Sequence, residues 1–368
     1  MNILFTSNIF PDIFANLIEF ASQKGDKVYF LTNQNINTHL DNVKKFIAPK
    51  KYDIPDECHP YLATYTYQLN NALEILEQAK ILKRQGLKPD IIIDSASSGC
   101  GFFLKKLYKK TPIISYLDYY HHAEADLDID TKANIRCTNT GNLFNLIYTD
   151  FAFTHTNWQK QTYPKEFQNK IKVFKYWTDE NQQSNSDEIS INGKTLTTKD
   201  NVITYFANPY NAQEGFENCL QIIKETQSLT NDINFVIVGL NIQGNIGVDM
   251  EKVHIIPDIS QQEKFNLLKI TKGIIYPENE YPILPEIYDG LANNCQIFAY
   301  KTTPAKEILS EENFCHLFEY GDYEGFCKTL LETIKNDKKS SDFAKQNQKN
   351  IKTFYDYIKE IYTTGENN

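Results

Sequence analysis

The stretch from Gly273 to Tyr300, GIIYPENEYPILPEIYDGLANNCQIFAY, constrains what this chain can fold into more than any other. It reads as a buried strand (Gly273–Tyr276), a polar, proline-punctuated loop carrying Glu278 and Glu280, a helix opening near Pro285, and a second buried strand (Gln296–Tyr300). Short apolar strands joined by a helix predict an α/β fold. Proline suits a first helical turn, where its missing amide has no partner to lose, and acidic residues near that end favour the helix dipole. Glu286 and Asp289, three apart, share one helical face. A carboxylate at the carboxyl end of a strand in such a fold can accept hydrogen bonds from ribose or sugar hydroxyls. The plainer reading, in which these acids only cap and solvate a helix end, rests on the same residues.

The same pattern opens the chain. Asn2–Thr6 reads as a strand, Ser7-Asn8-Ile9-Phe10-Pro11-Asp12 as a turn, Ile13–Gln23 as a helix ending at Gly25, and Lys27–Thr32 as the next strand. The turn contains no glycine, so it is not a phosphate-cradling G-x-G-x-x-G loop, and a dinucleotide-binding dehydrogenase is disfavoured. Val43–Thr64 is less regular. A helix is predicted over Tyr67–Gln85, a strand over Asp90–Asp94, a small-residue turn over Ser95–Cys100, a helix over Gly101–Lys109 and a buried strand over Pro112–Asp118. After a strand at Ile171–Trp177, the polar Thr178–Asn201 reads as an interdomain linker. Then β-α-β organisation resumes, with strand Val202–Ala207, helix Phe216–Gln227 and strand Asn234–Gly239. Further strands are predicted at Val253–Ile256 and Gly273–Tyr276, with a helix at Gln261–Ile270 between them, and C-terminal helices at Tyr323–Asn336 and Phe343–Tyr362.

Length and charge narrow the function. A chain of 368 residues predicts about two domains. Its 41% hydrophobic and 23% charged residues place it among globular proteins, and a formal net charge of −9 argues against a nucleic-acid partner. Bulk attraction to anionic lipid is disfavoured too, although a local lysine patch leaves room for peripheral membrane contact. Seven scattered cysteines without a C-x-x-C pair read as reduced thiols, which with the lack of a basic leader or an apolar run of about 20 residues predicts a cytoplasmic protein.

The strand ending at Asp118 empties into YYHHAEADLDID, which is too rich in histidines, tyrosines and acids to suggest a bland surface. His121 and His122 are adjacent and so point apart, which suits a general base or substrate hydrogen-bonder better than a zinc site. A purely structural role for these histidines is an equal alternative. The acids from Glu124 to Asp130 do not fit the spacing of a calcium loop. No metal is predicted.

Several of these segments resemble the family 4 glycosyltransferases. The run Asp289-Gly290-Leu291-Ala292-Asn293-Asn294-Cys295 before an apolar strand is similar to the family's Glu-Ala-Met-Ala-x-Gly-x signature, with Asp289 at the ribose-holding glutamate. The register eight residues earlier, where the family often has another glutamate, falls on Tyr281. Glu278 and Glu286 also stand eight apart, but that choice pushes the helix off the following strand; Glu286 is therefore the second choice. In the N-terminal half the turn Ser7, Asn8, Pro11 resembles an Asn-Phe-Pro-Gly-Gln-Phe start, with Asp12 in place of glycine. Asp118 to His122 resembles a strand ending Tyr-Phe-Glu-Phe-Tyr-Tyr-His, and the likeness runs on through Arg136, Asn139 and Asp150 to Thr156-Asn157-Trp158-Gln159.

The resemblance implies an α/β GT-B fold, in which two Rossmann-like domains face each other across a cleft. It implies an N-terminal acceptor-side domain (1–177), a linker (178–201), a nucleotide-sugar domain (202–342) and a C-terminal helix (343–368) crossing back to the first domain. The implied activity is retaining transfer of a hexose from a UDP- or GDP-linked donor to a glycan, lipid-linked or other surface-polymer acceptor, without cofactor or required metal. Implied site residues are Asp118, His121 and Glu286 near the chemistry, and Asp289, Glu286, Asn208, Glu214, Tyr281 and Gly239 around the donor. Ser7, Asn8 and Pro11 form the N-terminal loop.

One departure opens a second reading. Active members carry an arginine and then a lysine or arginine after the second domain's first strand, to neutralise the donor diphosphate. Aligned through Gly215-Phe216, those positions are Asn208 and Glu214. A carboxylate about 4 Å from a phosphate charge, at an effective dielectric near 20, costs about 4 kcal/mol, close to a thousandfold in affinity. The chain has only two arginines, Arg84 and Arg136, which leaves Lys272 and Lys301 as substitute cations. The alternative is therefore a catalytically inactive GT-B relative acting as a partner or regulatory subunit, which implies a protein partner.

Overall fold

The computed structural model describes residues 1–368 except 35–39, 124–126, 179–185, 209–211, 243, 245, 310–313, 336–342 and 366–368. It divides into two compact units, Met1–Tyr176 with Lys349–Asn368, and Trp177–Gln348. Each unit is built on one wholly parallel sheet.

In unit 1 the strands are β1 (Asn2–Thr6), β2 (Lys27–Thr32), β3 (Val43–Ile47), β4 (Ile91–Ser95), β5 (Ile113–Tyr116), β6 (Phe151–Thr154) and β7 (Ile171–Val173). Their order is β3-β2-β1-β4-β5-β6-β7. The helices are α1 (Ala15–Gln23), α2 (Ala63–Arg84), α3 (Leu104–Leu107), α4 (Ile129–Thr138), α5 (Thr140–Tyr148), α6 (Asn157–Thr162) and α7 (Lys165–Gln168). Strand order reverses between β1 and β4, so the loops after these strands flank a crevice where doubly wound sheets bind ligands. Central strands covered by helices on both faces must be apolar throughout. Ile3, Leu4 and Phe5 of β1 and Ile91, Ile92 and Ile93 of β4 are accordingly buried without alternation.

Unit 2 repeats the plan. Its parallel strands are β10 (Val202–Phe206), β11 (Asn234–Val238), β12 (Val253–Ile256), β13 (Thr271–Tyr276), β14 (Gln296–Tyr300) and β15 (Cys315–Phe318), in the order β12-β11-β10-β13-β14-β15. The reversal here falls between β10 and β13. Helices α8 (Ala212–Leu229), α9 (Gln261–Ile270), α10 (Pro285–Ala292), α11 (Thr303–Leu309) and α12 (Tyr323–Thr333) complete it. On α8, Cys219, Ile222, Ile223 and Thr226 recur at helical spacing, and the first three share a core with Ile203, Phe235, Phe298 and Phe326.

The stretch expected to be a plain linker holds an antiparallel hairpin, β8 (Glu188–Ile191) with β9 (Lys194–Thr197). Its turn is Asn192-Gly193, both at positive φ (52° and 83°), the conformation that two-residue hairpins need. Residues 179–185 of that linker lie outside the described chain. Two other elements are shorter than the sequence suggests. The helix expected over Gly101–Lys109 is only α3, and Gly101, outside it, lies where any Cβ would come within 2.1 Å of the Asp94 carboxylate. The strand expected to run to Trp177 stops at Val173, and Trp177 is buried instead.

The last helix, α13 (Phe343–Gly365), packs on unit 1. Phe354 is fully buried with its ring centroid 4.3 Å from Phe153 and 4.9 Å from Phe174. The Tyr355 hydroxyl donates to Asp26, whose other carboxylate oxygen takes the N-terminal ammonium at 2.6 Å. Chain start and chain end therefore meet on one aspartate.

Within unit 1, Asp94 at the end of β4 is fully buried and accepts from Ser115 of β5 and, at 2.9 Å, from Asn145 of α5. Burial pushes its carboxyl up to about 6, against the pull of the Ser115 and Asn145 hydrogen bonds. The folded state therefore holds this proton more tightly than the unfolded chain does. The resulting stability is complete below the unfolded value near 4 and is lost as pH rises through about 6. Denaturant unfolding of Asp94→Asn between pH 4.5 and 7 should fall less steeply with pH than that of the parent. Phe354→Ala should cost about 3–5 kcal/mol of unit 1 stability in the same assay, as expected for removing a buried aromatic ring.

Candidate functional site

Two groups of polar side chains stand at the carboxyl ends of the parallel strands, one in each unit. In unit 1 the chain leaves β1 through Ser7 and Asn8, passes the cis Phe10–Pro11 peptide and reaches Asp12. Asp12 sits at φ 57°, left-handed backbone that a non-glycine residue enters rarely. The strain coincides with bonding: Asp12 Oδ2 accepts from Ser7 Oγ at 2.6 Å, and Oδ1 accepts from the Ile13 amide at 2.8 Å. Asn8 Nδ2 donates to the Tyr67 hydroxyl at 2.9 Å. Burial raises the Asp12 carboxyl above the usual range, against hydrogen bonds from Ser7, Ile13 and Ser95. The loop thus brings Ser7, Asn8 and Pro11 into one turn and adds an acid where the family resemblance has glycine.

Across the switch point, β5 runs out into Asp118. Its Oδ1 accepts from the Tyr116 hydroxyl at 3.2 Å, and its backbone oxygen accepts from Gln159 Nε2 at 2.8 Å. Thr156 fixes that glutamine's helix by accepting the Gln159 amide at 2.9 Å, an N-cap. Burial pushes Asp118 up to about 7; Tyr116 opposes the shift and the charge of Asp12 adds to it. The two acids therefore sense one another.

The next residues are held by side chains from α4 to α6. Asn139 receives the His121 amide at 2.9 Å and donates to the His121 carbonyl at 2.8 Å. The His121 ring meets Tyr119 edge-on at 4.9 Å, and burial, then the neighbouring His122, holds its titration below the usual range. His122 Nε2 bonds the Thr162 carbonyl at 2.6 Å. The two histidines thus go to different partners, and among the described residues no group of three His, Cys, Asp or Glu side chains is placed to hold a metal ion.

In unit 2, Pro285 takes the first turn of α10 as its chemistry predicts. Asp289 is 5% exposed and Glu286, one turn earlier, is raised by burial, with Lys264 opposing the shift and Asp289 adding to it. Lys264, which the sequence reading did not single out, reaches from α9 to Asp289 Oδ2 at 2.7 Å. Its signal was present: Lys264, Leu267 and Leu268 fall on one helical face, two of them core residues, so that a lysine there calls for a buried partner.

The loops after β10 and β13 carry the phosphate-end candidates. Asn208 is fully buried. Glu214, on the first turn of α8, accepts from Asn279 Nδ2 and, at 3.5 Å, from the Tyr320 hydroxyl. Glu278 is also fully buried; it accepts from the Tyr205 hydroxyl at 3.2 Å and lies against Gly215, where a Cβ would stand 2.1 Å from Oε1. Gly215 is thus required by a close approach, and the amino-terminal turn of α8 faces the chain's own carboxylate.

Gly239, at the end of β11, holds φ 91° and donates its amide to Ile256 at 2.9 Å. Tyr281 sits in the turn where its amide donates to the Asn279 carbonyl at 2.8 Å, apart from the Lys264 group. Neither substitute cation reaches the phosphate end. Lys272, near the amino end of β13, donates to Asn201 at 2.6 Å and to the Ile334 carbonyl, and the exposed Lys301 pairs with Glu319 at 3.1 Å. Strand direction is the reason for Lys272: a residue that opens β13 lies at the edge opposite the loop it feeds.

Comparison with known proteins places this geometry in a known fold. Residues 24–176 match the model of the glycosyl transferase family 4 group. No curated protein sequence matches the chain. Solved structures match along its whole length. Sucrose-phosphate synthase from Thermosynechococcus elongatus superposes with a TM-score of 0.66 at 10% identity, covering 99% of this chain and 100% of its own. The catalytic domain of starch synthase IV from Arabidopsis thaliana, bound to ADP and acarbose, gives 0.67 at 11% identity, covering 100% and 99%. HepE of Anabaena in complex with UDP-glucose gives 0.64 at 13% identity, covering 99% and 100%. At such identities the likeness speaks for the fold. The two Rossmann-like units and the full-length structural matches show a GT-B fold, and residues 24–176 are similar to the glycosyl transferase family 4 group.

Proposed function

We propose that the chain is a retaining hexosyltransferase that takes a hexose from a UDP- or GDP-linked donor and delivers it to a glycan, a lipid-linked acceptor or another surface polymer. The observation that carries this reading is Asp289, buried on the helix after β13 at the position where the resemblance expects a ribose-holding acid. Solved relatives in fold bind ADP or UDP-glucose, which supports a nucleotide-linked donor.

In this proposal Asp289 accepts from the ribose, Glu286 lies near the sugar, and Asn208, Glu214, Tyr281 and Gly239 surround the donor's other groups. Asp118, pushed up to about 7 by burial, suits proton exchange with an acceptor hydroxyl at neutral pH, with His121 and the Ser7, Asn8 and Pro11 turn beside the sugar or acceptor. No metal or other cofactor is invoked. The free cysteines fit a reducing cytoplasm, and a lipid-linked acceptor would bring the chain to a membrane surface, since among the described residues no helix is long and apolar enough to cross one.

Glu214 and Glu278 favour a second reading. Two acids at the amino end of α8 oppose a diphosphate, and the absence of the family's paired cations at Asn208 and Glu214 leaves its charge uncompensated there. On that reading the chain is a non-catalytic relative serving a protein partner.

Thermal unfolding with UDP, GDP, ADP and UDP-glucose separates the two. A nucleotide at a hundred times its Kd should stabilise the fold by about 2.7 kcal/mol, a shift of several degrees that grows with concentration. Asp289→Ala should abolish the shift, and Glu214→Lys should enlarge it at fixed ligand. If no nucleotide moves the parent's midpoint, the transferase reading fails and the partner reading stands.

A further inference from the structure

Lys264 is 9% exposed and sits on the face of α9 that also buries Phe265, Leu267 and Leu268. An ammonium group in such surroundings is costly unless a carboxylate compensates it. The compensation comes from the next helix: the Nζ lies 2.7 Å from Asp289 Oδ2. Although burial works against its charge, Asp289 and Glu286 together hold the Lys264 ammonium above the usual lysine range. Both backbones are anchored close to the pair. Ser260 and Glu263 cap the start of α9 reciprocally, and Asn293 bonds the Asp289 carbonyl through its amide at 3.1 Å and its side chain at 2.9 Å. The contact uses one carboxylate oxygen. Among the described residues Oδ1 receives no hydrogen bond.

We propose that Lys264 is the positioning residue of the nucleotide site: it holds the short Asp289 side chain through Oδ2 so that Oδ1 is presented to a ribose hydroxyl. The inference rests on the reading of Asp289 as the ribose acceptor, and it assigns this site a ribose-selective nucleotide. An aspartate is one methylene shorter than glutamate, so its reach depends on a fixed rotamer. The ion pair supplies that fixation from outside the helix. Lys264 then acts only through Asp289 and touches no ligand itself.

The test is calorimetric titration of the intact chain with whichever of UDP, GDP and ADP binds, and with its 2′,3′-dideoxy form. The parent should prefer the ribonucleotide by on the order of tenfold to a hundredfold, the range for hydrogen bonds to a charged acceptor. Lys264→Met should bring the ratio toward one, and Lys264→Arg should keep it. In an Asp289→Asn background, adding Lys264→Met should change ribonucleotide affinity by less than about threefold, because the positioned group is already gone. That double variant removes both members of the Lys264–Asp289 pair together, so it carries the test if Lys264→Met alone does not fold.

A folded Lys264→Met chain that keeps the parental ratio overturns the proposal while leaving the donor-site reading intact. A large further loss in the Asp289→Asn background also overturns it, by showing that Lys264 contacts the nucleotide directly. Failure of the parent to bind any of the three nucleotides overturns both.

Discussion

The constraint beneath this structure is that a parallel sheet covered on both faces has nowhere to put polar side chains except at the ends of its strands. β1, β4, β10 and β13 are buried almost throughout, and each opens at its carboxyl end into a loop rich in hydroxyls, amides and acids. Ser7 and Asp12 follow β1, Asn208 follows β10, and Glu278 follows β13. Within each sheet the strands run parallel, so such residues lie at that sheet's carboxyl edge, and each sheet's order reverses, between β1 and β4 in one and between β10 and β13 in the other. Position in the sheet, more than local sequence, gathers the candidate residues.

Charge then distinguishes the two units. In unit 1, Asp12, Asp94 and Asp118 are all raised by burial, and their bonded partners are mainly hydroxyls and amides. Burial therefore favours the protonated form of each of these acids over its ordinary behaviour. Unit 2 has a lysine that compensates its acids on α10, while Glu214 accepts from Asn279 and Tyr320 and Glu278 accepts from Tyr205. The unit thus sets an ion pair beside Asp289 and two carboxylates, Glu214 and Glu278, at the head of α8.

Much of the fold was legible. Continuous apolar runs gave the main strands, and Pro285 marked its helix to the residue, since fixed φ and a missing amide are local properties. The hairpin was legible but missed: Asn192-Gly193 between Ile191 and Lys194 is a strong turn signal in a segment whose polar composition suggested a linker. The site was less readable. Asp118 and Asp289 stand out by type and place, and the apolar face around Lys264 signals that it needs a partner without saying that the partner is Asp289, twenty-five residues away. The burial of Glu278 against Gly215 likewise joins two loops that only the folded sheet brings together.

The attachment of α13 has a consequence for the order in which the chain can mature. Unit 1 is discontinuous: its first 176 residues precede unit 2 in the chain, yet Phe354 and Tyr355, which fill its surface beside Phe153 and Phe20, follow it. Unit 2 is contiguous and can close while the ribosome is still at work. The aromatic seam of the N-terminal lobe can close only after α13, which follows unit 2 in the chain, has been made.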